Sequence, residues 1–462
     1  MAMKAVTMLA CVLGLVSGSS VADRQARADD GARTYAEPTL EQRIDAAFIE
    51  FFPLYEMGRA RFNSVGNPLN PYRHTPNGTP VHWRTLVDHT ARMTTTPNND
   101  TLYSAAWLDL HSTPVRVHVP VIGHGRYWSI ALLDAYTNDI AVLGRRSDGD
   151  GPVDVVVVGP DWQGDLPGER LIRAPTNDVQ LLGRFLVADA TDIPAVRQIQ
   201  DGIRIEALDP GAALPEQRAP ARDSTDPQDF LAVVDEMLVR NPPVGEQAQR
   251  VRAWSDLGMG AGKGDFGRLD ARVQAAWRSR LPVLHERLRP GLEYGARTVG
   301  GWSLPSPAVG AYGTDYALRA AVAFAGLGAL PVNEAMYLNL STDPNGKPLH
   351  GSARWKLVVP PIAAGAFWSV SMYEKDPDGR LFFADNPIHR YAVGDRTPGL
   401  QRDADGNIEL LLQHDAPSDR ANWLPTPAGE WAMTLRVYLP PPAMQRGEAA
   451  LPQLLPATDT RQ

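Results

Sequence analysis

The stretch Val119–Ile130, VPVIGHGRYWSI, returns without a gap at Val359–Val370 as VPPIAAGAFWSV. Pro120 matches Pro360, Ile122 matches Ile362, Gly125 matches Gly365, and Trp128-Ser129 matches Trp368-Ser369. Each copy reads as a strand, a tight turn and a second strand that opens on aromatic residues. Two readings compete: hairpin chemistry that happens to coincide, or two related β-rich domains. A sheet with one apolar face must cover it, so the second reading implies two sheets face to face, a β-sandwich or jelly roll, in each half.

Strand patterns cluster where this reading needs them. YSAAWLDL, VRVHVPV, GRYWSIALLDAY, DIAVLG and VDVVVVG follow Leu102, and EAMYLNLST, ARWKLVVP, AFWSVSMYEK, NIELLLQHD and WAMTLRVYLP follow Glu334. Turn residues separate them. In RYWSIALLD the period of two places Arg126, Trp128, Ile130, Leu132 and Asp134 on one face. Helical periodicity marks EQRIDAAFIEFFPLYEM, where Pro53 predicts a kink or a boundary. It marks DATDIPAVRQIQDG, DFLAVVDEMLVRNP, EQAQRVRAWSDLG, FGRLDARVQAAWRSRLPVLHERL and YGTDYALRAAVAFAGLGAL as well. WRTLVDH reads as a short helical or turn segment. The fold class is therefore mainly β with a helical insertion (α+β), as two β-sandwich or jelly-roll-like domains. The boundaries are 1–28 for a signal peptide, 29–225 for an N-terminal β-rich domain, 226–330 for a helical region packed on or between the sheets, and 331–462 for a C-terminal β-rich domain.

Lys4, the apolar run Ala5–Val16 and the small residues after it have the order of a secretory signal, with Ala26-Arg27-Ala28 as the cleavage point. The run is too short to span a membrane, and Asp315 and Arg319 interrupt the apolar helix near residue 320, so no transmembrane segment is expected in the mature chain. A periplasmic or secreted location follows. Cys11 is the only cysteine and falls within the leader. Disulfides and thiolate chemistry are thereby excluded from the mature chain. A net charge of −8 with 21% charged residues gives no footprint for nucleic acid.

The segment TTTPNNDTLY offers a polar rim at the mouth of a strand. Asn98 and Asn99 orient a polar ligand, Asp100 binds a cation or takes a proton, and Thr101 and Tyr103 share a face. The competing reading is an Asx-turn in which Asn98 and Asp100 serve their own backbone. Arg126 and Asp134 are candidates to pair, with Tyr136 and Asn138 in the adjoining loop, and an arginine there suits a carboxylate or phosphate. PTNDVQLLGR repeats the Thr-Asn-Asp theme at Thr176, Asn177 and Asp178, with Arg184 next on the helical period from Gln180. The two loops are expected to meet at one pocket mouth. In the C-terminal half, His389 and Arg390 of NPIHRY stand beside aromatic residues, His389 as an acid–base group or a hydrogen-bonded structural one. DADGN has part of the look of a calcium loop but lacks its spacing.

No Gly-x-Ser-x-Gly elbow, phosphate loop, His-Glu-x-x-His or dinucleotide fingerprint is present. No metal ligands and no cofactor are therefore assigned. The sequence supports a metal-independent hydrolase or lyase for a small polar or anionic substrate, with Asp100, Asn99 and Arg126 catalytic and Asn98, Thr101, Tyr103, Asp134, Tyr136, His389 and Arg390 binding substrate. The alternative is an envelope ligand-binding or accessory protein without catalysis. A small-molecule ligand is the expected partner, and a homo-oligomer stays open.

TTPNNDTLYS, GRYWSIALLDAYTN, APTNDVQLLGR, GSARWKLVVPP, FWSVSMYE, NPIHRYAVGD and NWLPTPAGEWAMTLRVYLPP together resemble exported bacterial proteins that join two domains of unknown function, DUF1254 and DUF1214. The resemblance covers nearly all of the mature chain and implies a two-domain, β-rich exported protein. It implies no reaction.

Overall fold

The computed structural model describes residues 37–92, 95–219, 223–288, 296–377 and 379–457. The leader expected over 1–28 lies outside the described residues. Thr39–Gln462 gathers into one compact unit of mixed α+β architecture.

The N-terminal half contributes β1 (Val81–His82), β2 (Thr101–Asp109), β3 (Val115–Val119), β4 (Trp128–Leu133), β5 (Asp139–Gly144), β6 (Val153–Val158), β7 (Leu171–Arg173), β8 (Asp178–Leu186) and β9 (Arg204–Ala207). They form two sheets, ordered β1-β2-β8-β4-β5 and β7-β6-β3-β9. One apolar core draws on both, from Leu102, Trp128, Ile130 and Leu132 in the first sheet and Val115, Val117, Val155 and Val157 in the second. The period of two in RYWSIALL does what alternation requires: Trp128, Ile130 and Leu132 enter that core, while Ala131 and Leu133 enter another.

The C-terminal half contributes β10 (Arg297–Val299), β11 (Trp302–Leu304), β12 (Ala335–Leu340), β13 (Trp355–Val359), β14 (Phe367–Lys375), β15 (Leu381–Phe382), β16 (Ala392–Gly394), β17 (Ile408–Gln413), β18 (Trp423–Pro425), β19 (Trp431–Tyr438) and β20 (Gln453–Pro456). Its sheets run β10-β11-β12-β19-β14-β15, with β16 also on β14, and β18-β17-β13-β20. Trp302, Leu357, Trp368, Val370 and Leu435 meet in a core of their own.

The pairings of the two halves superimpose strand for strand. The path β2-β8-β4-β5 corresponds to β12-β19-β14-β16, and β7-β6-β3-β9 corresponds to β18-β17-β13-β20, including a parallel pair at β6/β7 and at β17/β18. Register agrees as well. The cross-sheet row Tyr103, Arg184, Ser129, Gly144 has its counterpart in Tyr337, Arg436, Ser369, Gly394. The glycines close each row for one reason. A Cβ at Gly144 would stand 2.6 Å from the Trp128 carbonyl oxygen, and one at Gly394 would stand 2.3 Å from that of Trp368. Trp128 and Trp368 thus occupy equivalent places, and the echo in the sequence is duplication.

The described α-helices are α1 (Leu40–Arg61), the one-turn α2 (Arg145–Asp148), α3 (Ile193–Asp201), α4 (Pro227–Arg240), α5 (Gly245–Ala253), α6 (Ala271–Leu288), α7 (Tyr316–Ala325) and the one-turn α8 (Pro442–Gln445). Phe48, Phe52, Phe230, Met237, Trp277 and Leu284 from α1, α4 and α6 share a core with Ala131 and Leu133 of β4 and with Phe367 and Tyr438. The helices therefore bind the outer faces of both large sheets. Each such large side chain, fully buried, contributes about 1.5–3 kcal/mol. Pro53 neither ends nor divides α1, which runs through it with Phe51, Phe52, Leu54 and Tyr55 all buried around it. Packing outweighs the one lost hydrogen bond. Two other expectations differ. PTNDVQLLGR is strand β8, so Gln180 and Arg184 share a face through a period of two, and WRTLVDH follows a two-residue strand as irregular chain.

Candidate functional site

The Asn98–Asp100 segment lies at the junction of the two halves. Asn98 Oδ1 accepts the Asp100 amide at 2.8 Å, the Asx-turn anticipated from the sequence. Its Nδ2 donates to the hydroxyls of Tyr438 at 3.0 Å, Thr101 at 3.3 Å and Tyr103 at 3.4 Å. Both Asp100 oxygens are engaged from the C-terminal half: Ser369 Oγ donates at 2.6 Å and Arg396 Nη2 at 2.7 Å. Asn99 is half-buried beside them.

Duplication supplies a mirror image. Glu334 precedes β12 as Asp100 precedes β2, and Arg146 follows Gly144 as Arg396 follows Gly394. Glu334, wholly buried, accepts Arg146 Nε at 2.7 Å and the Tyr127 hydroxyl at 3.0 Å. Each half thus offers an acid to the other half's arginine. The Tyr127 hydroxyl is held well above its ordinary range by burial and by the charge of Glu334, so it remains a donor.

The two Thr/Asn/Asp loops do not meet. Thr101 pairs with Leu186 and Asp109 with Asp178, which puts the loops at opposite ends of β2 and β8, on the order of 25 Å apart. The second loop serves a buried charge cluster instead. Asp109 and Asp178 face each other in register, and Arg240 donates to Asp109 at 2.7 Å and to Asp178 at 2.7 and 2.8 Å, while Arg61 reaches Asp109 at 3.0 Å. Arg126 and Asp134 stand at opposite ends of β4 for the same geometric reason. Arg126 pairs with Asp192, Nη2 to Oδ1 at 2.7 Å. Asp134 organises the turn after β4 by accepting from the Tyr136 amide at 2.8 Å, the Asn138 amide at 2.9 Å and Asn138 Nδ2 at 2.7 Å. Burial raises its pKa against those bonds.

That turn borders a cavity of about 350 Å³, walled by Asp134, Tyr136, Asn138 and Thr176 on the sheet side and by Glu50, Arg250, Tyr316 and Arg319 of α1, α5 and α7 on the other. Arg250 grips Glu50 with two bonds of 2.9 and 2.8 Å and lies 4.4 Å from the Tyr316 ring centroid. Arg319 Nη2 donates to the Gly313 carbonyl at 2.9 Å. Its Nε, and the buried hydroxyl of Tyr136, have no hydrogen-bond partner among the described residues. Thr137, a buried β-branched residue, is held at φ 68° in the same turn, a strained conformation costing about 1–3 kcal/mol. Next to it Asp139 keeps both carboxylate oxygens sealed and unpartnered. Burial pushes its pKa up to about 8 although Arg184 pulls the other way.

Of the residues singled out from sequence, Asp134, Tyr136, Asn138 and Thr176 line the cavity, and Asn98, Asp100, Thr101 and Tyr103 gather at the junction. His389 is exposed, near His89 and Asp385. Arg390 Nη1 donates to the carbonyls of Arg420, Ala421 and Trp423 at 3.0, 3.0 and 2.8 Å, anchoring its loop. Glu50, Arg250 and Arg319 escaped the sequence reading. Arg319 had a signal, a charge interrupting an apolar helix, while Glu50 and Arg250 look like ordinary helix-surface charges.

Comparison with known proteins agrees with the motifs. Residues 77–207 match the family described as "Protein of unknown function (DUF1254)", and residues 334–442 match "Protein of unknown function (DUF1214)". No curated protein matches. The crystal structure of the VPA0106 protein from Vibrio parahaemolyticus is similar over 91% of this chain and 100% of its own, at 22% identity and a TM-score of 0.68, and shows the fold alone. An uncharacterised protein from Burkholderia cenocepacia aligns over 92% of each chain at 15% identity and a TM-score of 0.42. The chain is thus a protein in which a DUF1254 domain is followed by a DUF1214 domain.

Proposed function

We propose that this protein captures a small polar molecule bearing a carboxylate or carbonyl oxygen, in the cavity between the Asp134–Asn138 turn and helices α1, α5 and α7. The observation that carries the reading is the pair of unsatisfied groups at one cavity, the Tyr136 hydroxyl and Arg319 Nε. Buried polar groups without partners are costly, and since both residues line the cavity, a ligand oxygen relieves them once their side chains turn toward it. Glu50 already neutralises Arg250, whereas Arg319 has no ion pair among the described residues. Binding is favoured over turnover because Asp100, the acid–base candidate from sequence, has both oxygens committed across the junction. A thermal-shift screen of small hydroxy acids, sugars and amino acids tests this. At least one should stabilise the full chain, and Tyr136→Phe and Arg319→Met should each weaken that ligand by tenfold or more, about 1.4 kcal/mol. No stabilising compound, or unchanged affinity in both variants, refutes the site.

A hydrolase or lyase is the second reading, and Asp139 favours it. Its carboxyl, pushed up to about 8, lies one residue beyond the cavity turn with both oxygens sealed, and would act as an acid only once a bound ligand uncovers it. Turnover of the screened ligand, lost in Asp139→Asn with binding retained, would select it.

We also read each pair of sheets with its shared core as a β-sandwich domain, bounded at 29–225 and 331–462, with the helices of 226–330 packed against them. Among the described residues no helix is long and apolar enough to cross a membrane. That accords with a periplasmic or secreted protein, which the order of residues in the leader supports.

A further inference from the structure

We propose that His89, Asp385 and His389 form a binding site for a borderline transition-metal dication of the Zn²⁺ type, joining a loop of the N-terminal half to a loop of the C-terminal half. One ligand atom from each side chain lies within 4.8 Å of the other two. Zn–N and Zn–O bonds of about 2.0–2.2 Å put tetrahedral ligands roughly 3.4 Å apart, so the donors must close by about an ångström. Exposed side chains do this at little cost, and the Asp385 and His89 side chains are 71% and 28% exposed.

The backbone beneath is already fixed. Asn386 Oδ1 accepts the Arg390 amide at 2.9 Å and its carbonyl accepts the His389 amide at 3.1 Å. Arg390 is pinned to its three carbonyls. Between these clamps His389 sits at φ 48°, in the left-handed region that a histidine seldom adopts. On the other side Asp88 Oδ1 accepts the Thr90 amide at 2.9 Å in a tight turn around His89. The His89 Nδ1 lies 3.7 Å from Asp385 Oδ1 and 2.8 Å from the Tyr391 hydroxyl, a bond that holds the ring beside Asp385 without metal and that a cation taken at Nδ1 would replace. Tyr391 in turn packs on Phe383, with ring centroids 5.1 Å apart. Two imidazoles and one carboxylate suit Zn²⁺ and its neighbours and leave a coordination position for water.

A second cluster with close donors, Asp109, His111 and Asp178, makes the contrast. Its carboxylates already contact Arg61 and Arg240, so a dication would enter against two guanidinium charges. At His89, Asp385 and His389 no arginine or lysine is paired with the carboxylate among the described residues.

The test titrates Zn²⁺ into the full chain, freed of any histidine tag and stripped with a chelator. Near one equivalent should bind tightly, and His389→Asn and Asp385→Asn should each weaken binding at least about tenfold. Asparagine tolerates the left-handed region, so His389→Asn should unfold at the parent temperature without metal. The exposed His350→Asn serves as a control that leaves binding intact. Parental Zn²⁺ affinity in both site variants, or no binding by the parent chain, overturns the proposal.

Discussion

Arg396 reaches from the C-terminal half to Asp100 at the entrance of β2, Nη2 to Oδ1 at 2.7 Å, and Arg146 repeats the gesture from the N-terminal half to Glu334. Such reciprocity is what a two-fold interface between identical subunits produces, where one patch meets its own copy. Here the two copies are the halves of one chain. The polar residues from Asn98 to Thr101 therefore have a structural task that their composition alone does not reveal.

The duplication sets up its own control experiment. Ser129 and Ser369 occupy equivalent places in the two sheets, and both are buried. Ser369 Oγ donates to Asp100 at 2.6 Å, whereas Ser129 Oγ has no partner of good geometry among the described residues. Bonds to a charged group contribute about 1.5–3 kcal/mol. Ser369→Ala should lower unfolding stability by about that amount, and Ser129→Ala should leave it within about 0.5 kcal/mol. Urea titration of the two variants side by side measures the difference. Equal losses would mean the hydrogen bond to Asp100 adds nothing.

Much of the fold was legible because alternation and repetition report directly on which face is buried. Trp128, Ile130 and Leu132 entered one core as their spacing demanded, and the Trp-Ser echo marked equivalent strands. The site was less legible. Arg126 and Asp134 share a strand face, but a shared face says nothing of distance along it, and the strand between them keeps them apart. Arg250 and Glu50 come from helices far apart in sequence, and only tertiary packing brings them to one cavity. Asp178 looked like part of a ligand loop, yet it belongs to a four-charge cluster whose arginines lie on α1 and α4.

That cluster makes stability depend on acid. Burial raises the Asp178 pKa, but Arg61 and Arg240 more than reverse this and bring it down to about 2. A carboxyl depressed in the folded state gives stability that is present above its unfolded pKa and lost as pH falls through the folded one. The window here runs from about pH 4 down to about pH 2, and the loss is on the order of 2 kcal/mol. Urea midpoints should fall steeply across that window, and Asp178→Asn, less stable at neutral pH, should show a shallower fall. Parallel acid profiles for parent and variant would dismiss the assignment.

Asp139 should act in the opposite direction. Its carboxyl is buried without partners and its pKa is pushed up to about 8 from 3.8, by burial first, with Asp134 and Glu334 adding to the rise. The folded state therefore holds a proton that the unfolded state releases, and stability falls as pH rises from about 4 to about 8. Above pH 8 the folded protein must carry an uncompensated buried charge. Asp139→Asn keeps the shape and removes that charge, so it should unfold at a higher temperature than the parent at pH 9, by at least the few degrees that about 1 kcal/mol corresponds to. Near pH 3, where the parent carboxyl is largely neutral in both states, the two should converge. Scanning calorimetry across pH 3–9 follows the gap between them. A gap that stays constant with pH would show that Asp139 is ionised throughout, and would remove the observation on which the hydrolase or lyase reading depends.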